Sequence, residues 1–374
     1  MLMLIKNARV FRESGIFEEG DVAISGEYFA KASPNGETLD AAGCYAIPGF
    51  VDVHFHGCVG HDFSNAEEQG LIEMARFQAA NGTTAICPAT LTLPEDHLAA
   101  ACKRIAGLSD PKGAAVVGIQ LEGPFLSYNK RGAQNPDYLR LPDVEMIRRL
   151  QKEANGLIKI IALAPELDGA LELIDEINGE ILCSVAHTEA SYEVALKAFK
   201  HGARQATHLY NGMPPFHHRD PGVVGAAMDS PECRVELICD SIHVHPSMMR
   251  ATFRMFGDDR IVFISDSIMA AGMADGLWDL GGLAVEVSGR LAKLANSSTI
   301  AGSICPLIGC LRIAVSEMGI PLASAVKCAS VNPAKSIGVY DKRGSIAPGK
   351  YADLVLLNED LTIRNVFLRG NLLT

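Results

Sequence analysis

A small set of side chains in this sequence has the types and spacing to act together on one substrate: His54, His56, Glu122, His187, His208, His243 and Asp266. His54 and His56 stand one residue apart in Val51-Asp52-Val53-His54-Phe55-His56-Gly57. On a strand, positions i and i+2 share a face, so both imidazoles project the same way and Phe55 faces the other side. Two readings of such a pair stand at this point: hydrogen-bonded core histidines, or two ligands of a metal ion, since neutral imidazole nitrogen is a common metal ligand. The remaining residues each follow a short apolar run: Glu122 in Leu121-Glu122-Gly123-Pro124-Phe125, His187 in Val185-Ala186-His187-Thr188, and His208 in Thr207-His208-Leu209-Tyr210-Asn211. His243 stands in Asp240-Ser241-Ile242-His243, and Asp266 in Ile264-Ser265-Asp266. Taken singly, Glu122 or Asp266 reads as a satisfied polar group or a helix cap; taken together, the set reads as a metal site. Imidazole and carboxylate donors without thiolate suit zinc, iron(II) or a similar first-row ion. Such an ion lowers the pKa of bound water from about 15.7 towards roughly 7 and polarises a carbonyl oxygen. A carboxylate beside it can take the proton of that water and later give it to a leaving amine. Asp266 is the candidate for that task, and His243 for a hydrogen bond to the carbonyl oxygen. The chemistry predicted is hydrolysis of an amide or related C–N bond.

The elements that must position these residues follow from periodicity. From Pro48 onward, short apolar strands alternate with amphipathic helices, the pattern of a parallel sheet or barrel. The strands are predicted to end at His54 to His56 and to span 83–88, 115–122, 158–164, 181–187, 205–208, 235–240 and 261–266. Helices are predicted over 67–80, 94–107, 142–155, 191–201 and 246–256 among others, and then over 302–318 and 321–330. These strand–helix units predict an α/β fold, a (β/α)8 TIM barrel, whose active site lies at the carboxyl ends of its strands. That is where every residue named above falls. Residues 1–47 read as short strands and turns with no helical periodicity, and 340–374 again as turn and strand. The expected division is a barrel over 48–339 and a small discontinuous β domain from 1–47 and 340–374. The segments 278–287 and 289–300 read as β structure returning towards that small domain.

Composition narrows the partners. Hydrophobic residues make up 48% of the chain but aromatic ones only 6%, which suits an aliphatic, well-filled core. A net charge of −11 argues against nucleic acid or an anionic membrane surface, and an anionic substrate would need a local basic residue. No apolar run reaches the ~18 residues of a membrane span. Residues 1–10 alternate like a strand and lack the apolar stretch of a signal peptide. The ten cysteines form no CxxC pair and sit mostly in apolar segments, as buried thiols in a reducing cytoplasm would.

The chain resembles the amidohydrolase superfamily and, within it, the N-acetylglucosamine-6-phosphate deacetylase family. The matching pieces are Pro48-Gly49-Phe50-Val51-Asp52-Val53-His54-Phe55-His56-Gly57, Asn81-Gly82-Thr83-Thr84, Leu121-Glu122-Gly123-Pro124-Phe125, Ala186-His187-Thr188 and His208-Leu209-Tyr210-Asn211-Gly212-Met213-Pro214. Asp240-Ser241-Ile242-His243, Ser265-Asp266 and the closing Pro348-Gly349-Lys350-Tyr351-Ala352-Asp353-Leu354 also match, so the likeness spans essentially the whole sequence. It implies that Glu122, His187 and His208 bind a principal divalent metal, with His54 and His56 holding a second, Glu122 bridging and Asp266 near both. One or two ions per subunit, zinc or iron(II), are therefore expected. It implies deacetylation of an amino-sugar phosphate, a flanking β-sandwich built from both chain ends, and a homodimer in which Arg219 binds the phosphate of the neighbouring subunit's substrate. Asn211, Gly212 and the Ile300-Ala301-Gly302 turn match substrate-contacting positions, as does the segment holding Ala133 and Gln134. At that last place the family usually has histidine. Glutamine keeps a donor and an acceptor but carries no charge, so the substrate could instead be N-acetylgalactosamine 6-phosphate or another acylated amino sugar. A dihydroorotase-type enzyme would use a carboxylated lysine where this chain has Glu122. A non-catalytic sugar-phosphate sensor would lack a ligand or the catalytic carboxylate, and none is missing.

Overall fold

The computed structural model describes residues 2–31, 36–110 and 112–373; Met1, at the head of the first expected strand, lies outside them. Eight parallel strands curl into the expected TIM-like barrel. They are β1 (Phe50–Asp52), β2 (Thr83–Ile86, resuming at Ala89–Thr90), β3 (Ala115–Val116, resuming at Ile119–Glu122) and β4 (Ile158–Leu163). β5 (Leu182–Val185), β6 (Gln205–Ala206), β7 (Arg234–Ile238) and β8 (Ile261–Ile264) follow. Each pairs in parallel with its neighbour in sequence order. The seam between β8 and β1 is closed by Asp266 N–H donating to His54 O (2.9 Å), His56 N–H to Ser267 O (2.7 Å) and Ser265 Oγ–H to Asp52 Oδ2 (2.5 Å).

Period-2 alternation sorts the strand side chains into two cores. Val51, Val53, Val262 and Ile264 fill the barrel's interior with Ile160 and Ile238. Phe50, Ile161, Val235, Leu237, Ile261 and Phe263 face the surrounding helices. Those helices include Glu68–Ala80, Glu95–Gly107, Val144–Glu153, Ala170–Ile177, Tyr192–His201, Gly222–Met228 and Pro246–Phe256. Their starts follow local chemistry: Asp143 and Ser191 accept hydrogen bonds from Met146 N–H (3.0 Å) and Val194 N–H (3.4 Å), the expected N-cap pattern. No helix of the described residues is long and apolar enough to cross a membrane.

Both chain ends meet in one eight-stranded sheet, in which Leu354–Leu357 pairs antiparallel with Tyr45–Pro48, and Tyr45–Pro48 pairs in turn with the first strand, Leu2–Phe11. Alternation along Leu354–Leu357 sends Leu354 and Leu356 into the sheet's own core with Ile5, Val22 and Phe367, and Val355 and Leu357 towards the barrel.

Two expectations are corrected. The segment from 276 to 301 does not return to the terminal sheet. It forms a separate antiparallel sheet (Gly276–Leu280, Leu283–Ser288, Leu291–Leu294) that pairs only within itself. Its apolar side needs a partner, and Leu280, Val285, Val287 and Ala292 find one in Leu91, Ile268 and Ala270 from the loops after β2 and β8. The small sheet therefore lies at the mouth of the barrel. The first strand also stops earlier than expected, at Asp52. His54 and His56 stay in line because their backbone groups are bonded to Asp266 and Ser267 across the seam.

Candidate active site

At the mouth, the carboxylate of Glu122 at the end of β3 is the hub. Its Oε1 lies 3.1 Å from His187 Nε2, 3.2 Å from His208 Nε2 and 3.3 Å from His54 Nε2, and its Oε2 lies 3.2 Å from His56 Nε2. Asp266 Oδ1 approaches His56 Nε2 to 3.4 Å and His54 Nε2 to 3.7 Å. The side chains fall into two groups able to hold an ion, Glu122–His187–His208 and His54–His56–Asp266. All six are buried.

The chain bends sharply to aim them. His187, His208 and Asp266 each follow a barrel strand closely and each has a positive φ, of 41°, 28° and 48°. Left-handed backbone at a non-glycine residue costs about 1–3 kcal/mol and persists where the surroundings over-determine it. Here they do. Ser127 N–H donates to His187 O (2.9 Å), His208 N–H to Glu236 Oε2 (3.2 Å) and Ser303 N–H to Asp266 O (2.8 Å). Gly212 is required beside them, because it too has positive φ and a Cβ there would stand 2.9 Å from His187 Nδ1.

These residues fit a metal ion. His187 Nδ1–H donates to Lys130 O (2.8 Å), so in the neutral ring Nε2 carries the lone pair, which faces His208 Nε2 at 3.0 Å. Two imidazole lone pairs at this distance repel unless a proton or a cation lies between them. His54 Nε2 is buried without a hydrogen-bond partner and is aimed at the same place. Ligands about 2.0–2.1 Å from a tetrahedral ion stand about 3.3 Å apart, close to the separations seen here. Electrostatics agrees. Burial opposes charge on His56, but Asp266 and Glu122 outweigh it and push its pKa up to about 10. Burial likewise opposes charge on His54 and His187, yet the facing carboxylates raise both. Burial would raise Glu122, and His54 with the other imidazoles holds it well below the usual carboxylate range. The cluster attracts positive charge, and a divalent ion would displace those protons, so its affinity rises with pH.

A pocket of about 320 Å³ opens over this cluster, lined by His56, Glu122, His187, His208, His243 and Asp266 together with Ala133, Gln134, Asn211, Gly212, Ile300 and Gly302. A larger surface cleft of about 870 Å³ is lined by charged residues such as Glu95 and Arg149, which pair with each other at 2.6 Å. None of the ligand groups lines it, so size alone misplaces the site. His243 Nδ1 is bonded to Asp240 Oδ2 (2.7 Å), leaving Nε2 for the pocket. Burial disfavours charge on His243, but Asp240 more than offsets it and raises its pKa. Its imidazolium therefore persists to higher pH than a free histidine's. Asp240→Asn should move the alkaline limb of the kcat/KM profile to lower pH; a pH–rate profile checks this, and an unmoved limb would deny His243 a charged role.

Two of the sequence-derived substrate residues, Ala301 and Arg219, do not line the pocket, and a third, Gln134, lines it with its amide already engaged. Ala301 is buried against Leu280 and Val285, and only its neighbours Ile300 and Gly302 line the pocket. Arg219 is exposed outside the pocket beside His218 (2.8 Å), and it is His217, at 3.5 Å, that meets Asp220. Gln134 has both ends of its amide engaged: Thr92 N–H donates to Oε1 (2.8 Å), and Nε2 donates to Glu122 Oε2. Cys58 is no ligand, since its thiol is buried against Met74 O and burial raises its pKa. His61, His201 and His245 pair with Glu73, Asp175 and Ser247, in keeping with structural roles. Sequence reasoning missed Glu236, Gln120 and Gln205, which surround the ligands from inside the barrel, and the task of Asp240. A carboxylate in the middle of Arg234-Val235-Glu236-Leu237-Ile238 is the signal that was available.

The barrel, the ligand arrangement at its mouth and the sequence agree on the class: the chain belongs to the amidohydrolase family, whose model matches residues 45–373. N-acetylglucosamine-6-phosphate deacetylase of Bacillus subtilis (strain 168) is 36% identical over 383 residues, covering 99% of this chain and 96% of that protein. N-acetylgalactosamine-6-phosphate deacetylase of Escherichia coli O157:H7 is 32% identical over 376 residues, covering 100% and 99%. A solved structure of a Mycobacterium smegmatis N-acetyl-D-glucosamine-6-phosphate deacetylase variant in complex with N-acetyl-D-glucosamine-6-phosphate superposes with a TM-score of 0.92 at 32% identity, covering 100% of this chain and 99% of that one. Within the amidohydrolases, the chain stands with the N-acetylglucosamine-6-phosphate deacetylases.

Proposed function

We propose that this chain deacetylates N-acetylglucosamine 6-phosphate to glucosamine 6-phosphate and acetate. One observation carries the reading: a single carboxylate, Glu122, meets four imidazole Nε2 atoms at 3.1–3.3 Å beneath a pocket that also holds Asp266 and His243. Glu122, His187 and His208 would hold a principal ion, with His54, His56 and Asp266 around a second; zinc or iron(II) suits the donors. Such an ion supplies a polarised acetyl carbonyl and a more acidic water. The chain's own residues do the rest. Burial would raise the pKa of Asp266, but the hydrogen bond to His56 and the charge of His54 hold it below the ordinary range, so it is ionised. It accepts the proton of the attacking water as the C–O bond forms, and returns it to the nitrogen as the C–N bond breaks. His243 Nε2–H steadies the carbonyl oxygen as negative charge grows there. Asn211, Gly212, Ala133, Gln134, Ile300 and Gly302 shape the space for the sugar.

Among the described residues no lysine or arginine lines the pocket. In a chain of net charge −11, a phosphate dianion therefore needs a cation from elsewhere. Exposed Arg219 can supply it to a neighbouring subunit, whose guanidinium fork suits a phosphate; this makes a homodimer part of the proposal. Arg219→Ala should raise KM for the phosphorylated sugar by roughly 10- to 100-fold, the equivalent of a lost charge-assisted hydrogen bond of about 1.5–3 kcal/mol, with little change for the unphosphorylated sugar. Equal losses on both would remove the phosphate role. The reading is completed by a barrel over 48–339, a β-sandwich from 1–47 and 340–374, and a reducing cytoplasm for the ten free cysteines. The E. coli relative and Gln134 favour one second reading, the galacto epimer of the same substrate. Acetate release from the two epimers, each with and without phosphate, decides between them.

A further inference from the structure

We infer that Glu236 is a positioning residue that sets the second metal position, by fixing which nitrogen of His54 faces the ion. The inference rests on the metal reading above. Glu236 lies in the middle of β7 with none of its surface exposed, and it is not itself one of the six ligand-capable residues. A carboxylate in such a place must be surrounded by donors. It has three. His54 Nδ1 lies 2.9 Å from Oε2, His208 N–H donates to Oε2 at 3.2 Å, and Gln205 Nε2 donates to Oε1 at 2.7 Å.

A carboxylate can only accept, so the contact with His54 keeps a proton on Nδ1, and in the neutral ring, the form that binds an ion, Nε2 carries the lone pair. That is the nitrogen pointing at Glu122 and Asp266. Gln120 Nε2 stands 3.1 Å from the same Nδ1 and Gln120 Oε1 has no partner; two donors cannot face each other, so with Nδ1–H committed to Glu236 the Gln120 amide fits with its nitrogen and oxygen exchanged. The same Glu236 oxygen also holds the backbone of His208 at its φ of 28°. One buried oxygen thus fixes a ligand in each group. Outer carboxylates that orient a metal-bound histidine raise its basicity, and their loss costs about 10- to 100-fold in metal affinity.

The test is zinc titration of wild-type protein and Glu236→Gln against a chromophoric chelator, with melting of both proteins after metal removal. Glutamine keeps an acceptor for His54 and removes the charge. The expected result is two ions on the wild type and about a tenfold or greater loss of affinity for the second ion in the variant, whether or not the metal-free variant melts lower. Equal affinity for both ions in the two proteins would overturn the inference, as would lower metal-free melting with unaltered zinc affinity, which marks a residue that merely holds the barrel. A wild type that takes up no zinc would instead overturn the metal reading beneath it. If the variant does not fold, ¹⁵N-histidine spectra of the zinc-loaded wild type give the answer: Nδ1–H with Nε2 on the metal supports the inference, and Nδ1 on the metal overturns it.

Discussion

Asp266→Asn should lower kcat by about 10³- to 10⁴-fold, the upper part of the range for losing a general base. The substitution keeps shape and hydrogen bonding in a position that is almost wholly buried. It removes the charge that stands 3.4 Å from His56 Nε2 and 3.7 Å from His54 Nε2, while the Glu122–His187–His208 group is untouched. The variant should therefore fold, keep its principal ion, and bind substrate with a KM near that of the wild type. Rapid-quench measurement of acetate together with metal analysis checks this. A kcat within tenfold of wild type would place the proton acceptor elsewhere.

Glu122→Gln should have a still broader effect, because this one carboxylate serves four imidazoles. Losing a direct ligand should weaken metal binding by more than the 10- to 100-fold expected of an outer residue, and turnover should go with the metal. Without metal, the variant should also be less stable, since removing one partner of a buried charged set costs about 3–5 kcal/mol. The sign with pH follows from the two shifts. His56 has a raised folded pKa, so its contribution is whole below its ordinary value of 6.5 and is lost as pH rises through about 10. Glu122 has a depressed one, so its contribution is whole above its ordinary 4.5 and is lost as pH falls below that. The difference in melting temperature between the metal-free proteins should therefore be largest between about pH 4.5 and 6.5. Equal melting across that range would mean that the cluster does not hold together as described.

How much of this was legible in the sequence differs from residue to residue. The barrel was, and so was the meeting of the ligand-capable residues at its mouth, since a side chain that follows directly on an apolar run carries its position with it: Glu122, His187, His208 and Asp266 all stand at or just beyond a strand's end. What lies beneath them was not. The bond from Glu236 to His54 joins residues 182 apart in the chain: a carboxylate inside an apolar run signals that Glu236 needs partners, but nothing local names His54 as one. The left-handed backbone of His187, His208 and Asp266 was hidden for a related reason. Such conformations usually advertise themselves through glycine, and here they are imposed by hydrogen bonds with residues distant in sequence, Ser127, Glu236 and Ser303. The small sheet at the mouth has the alternation of any half-buried strand. Which apolar surface it would cover depended on Ile268 and Leu91, far from it in sequence. Arg219 marks the opposite limit: the residue is plain in the sequence, but within one chain it stands exposed beside His218, outside the pocket.

The central claim, that these residues make a metal-dependent amidase for an amino-sugar phosphate, is tested most directly by one titration. Metal-free protein is supplied with N-acetylglucosamine 6-phosphate, zinc is added in steps, and acetate and free amine are both counted. The account predicts no turnover at the start, activity rising with bound metal, and acetate equal to amine. Full activity without metal, or no acetate at any metal loading, would contradict it.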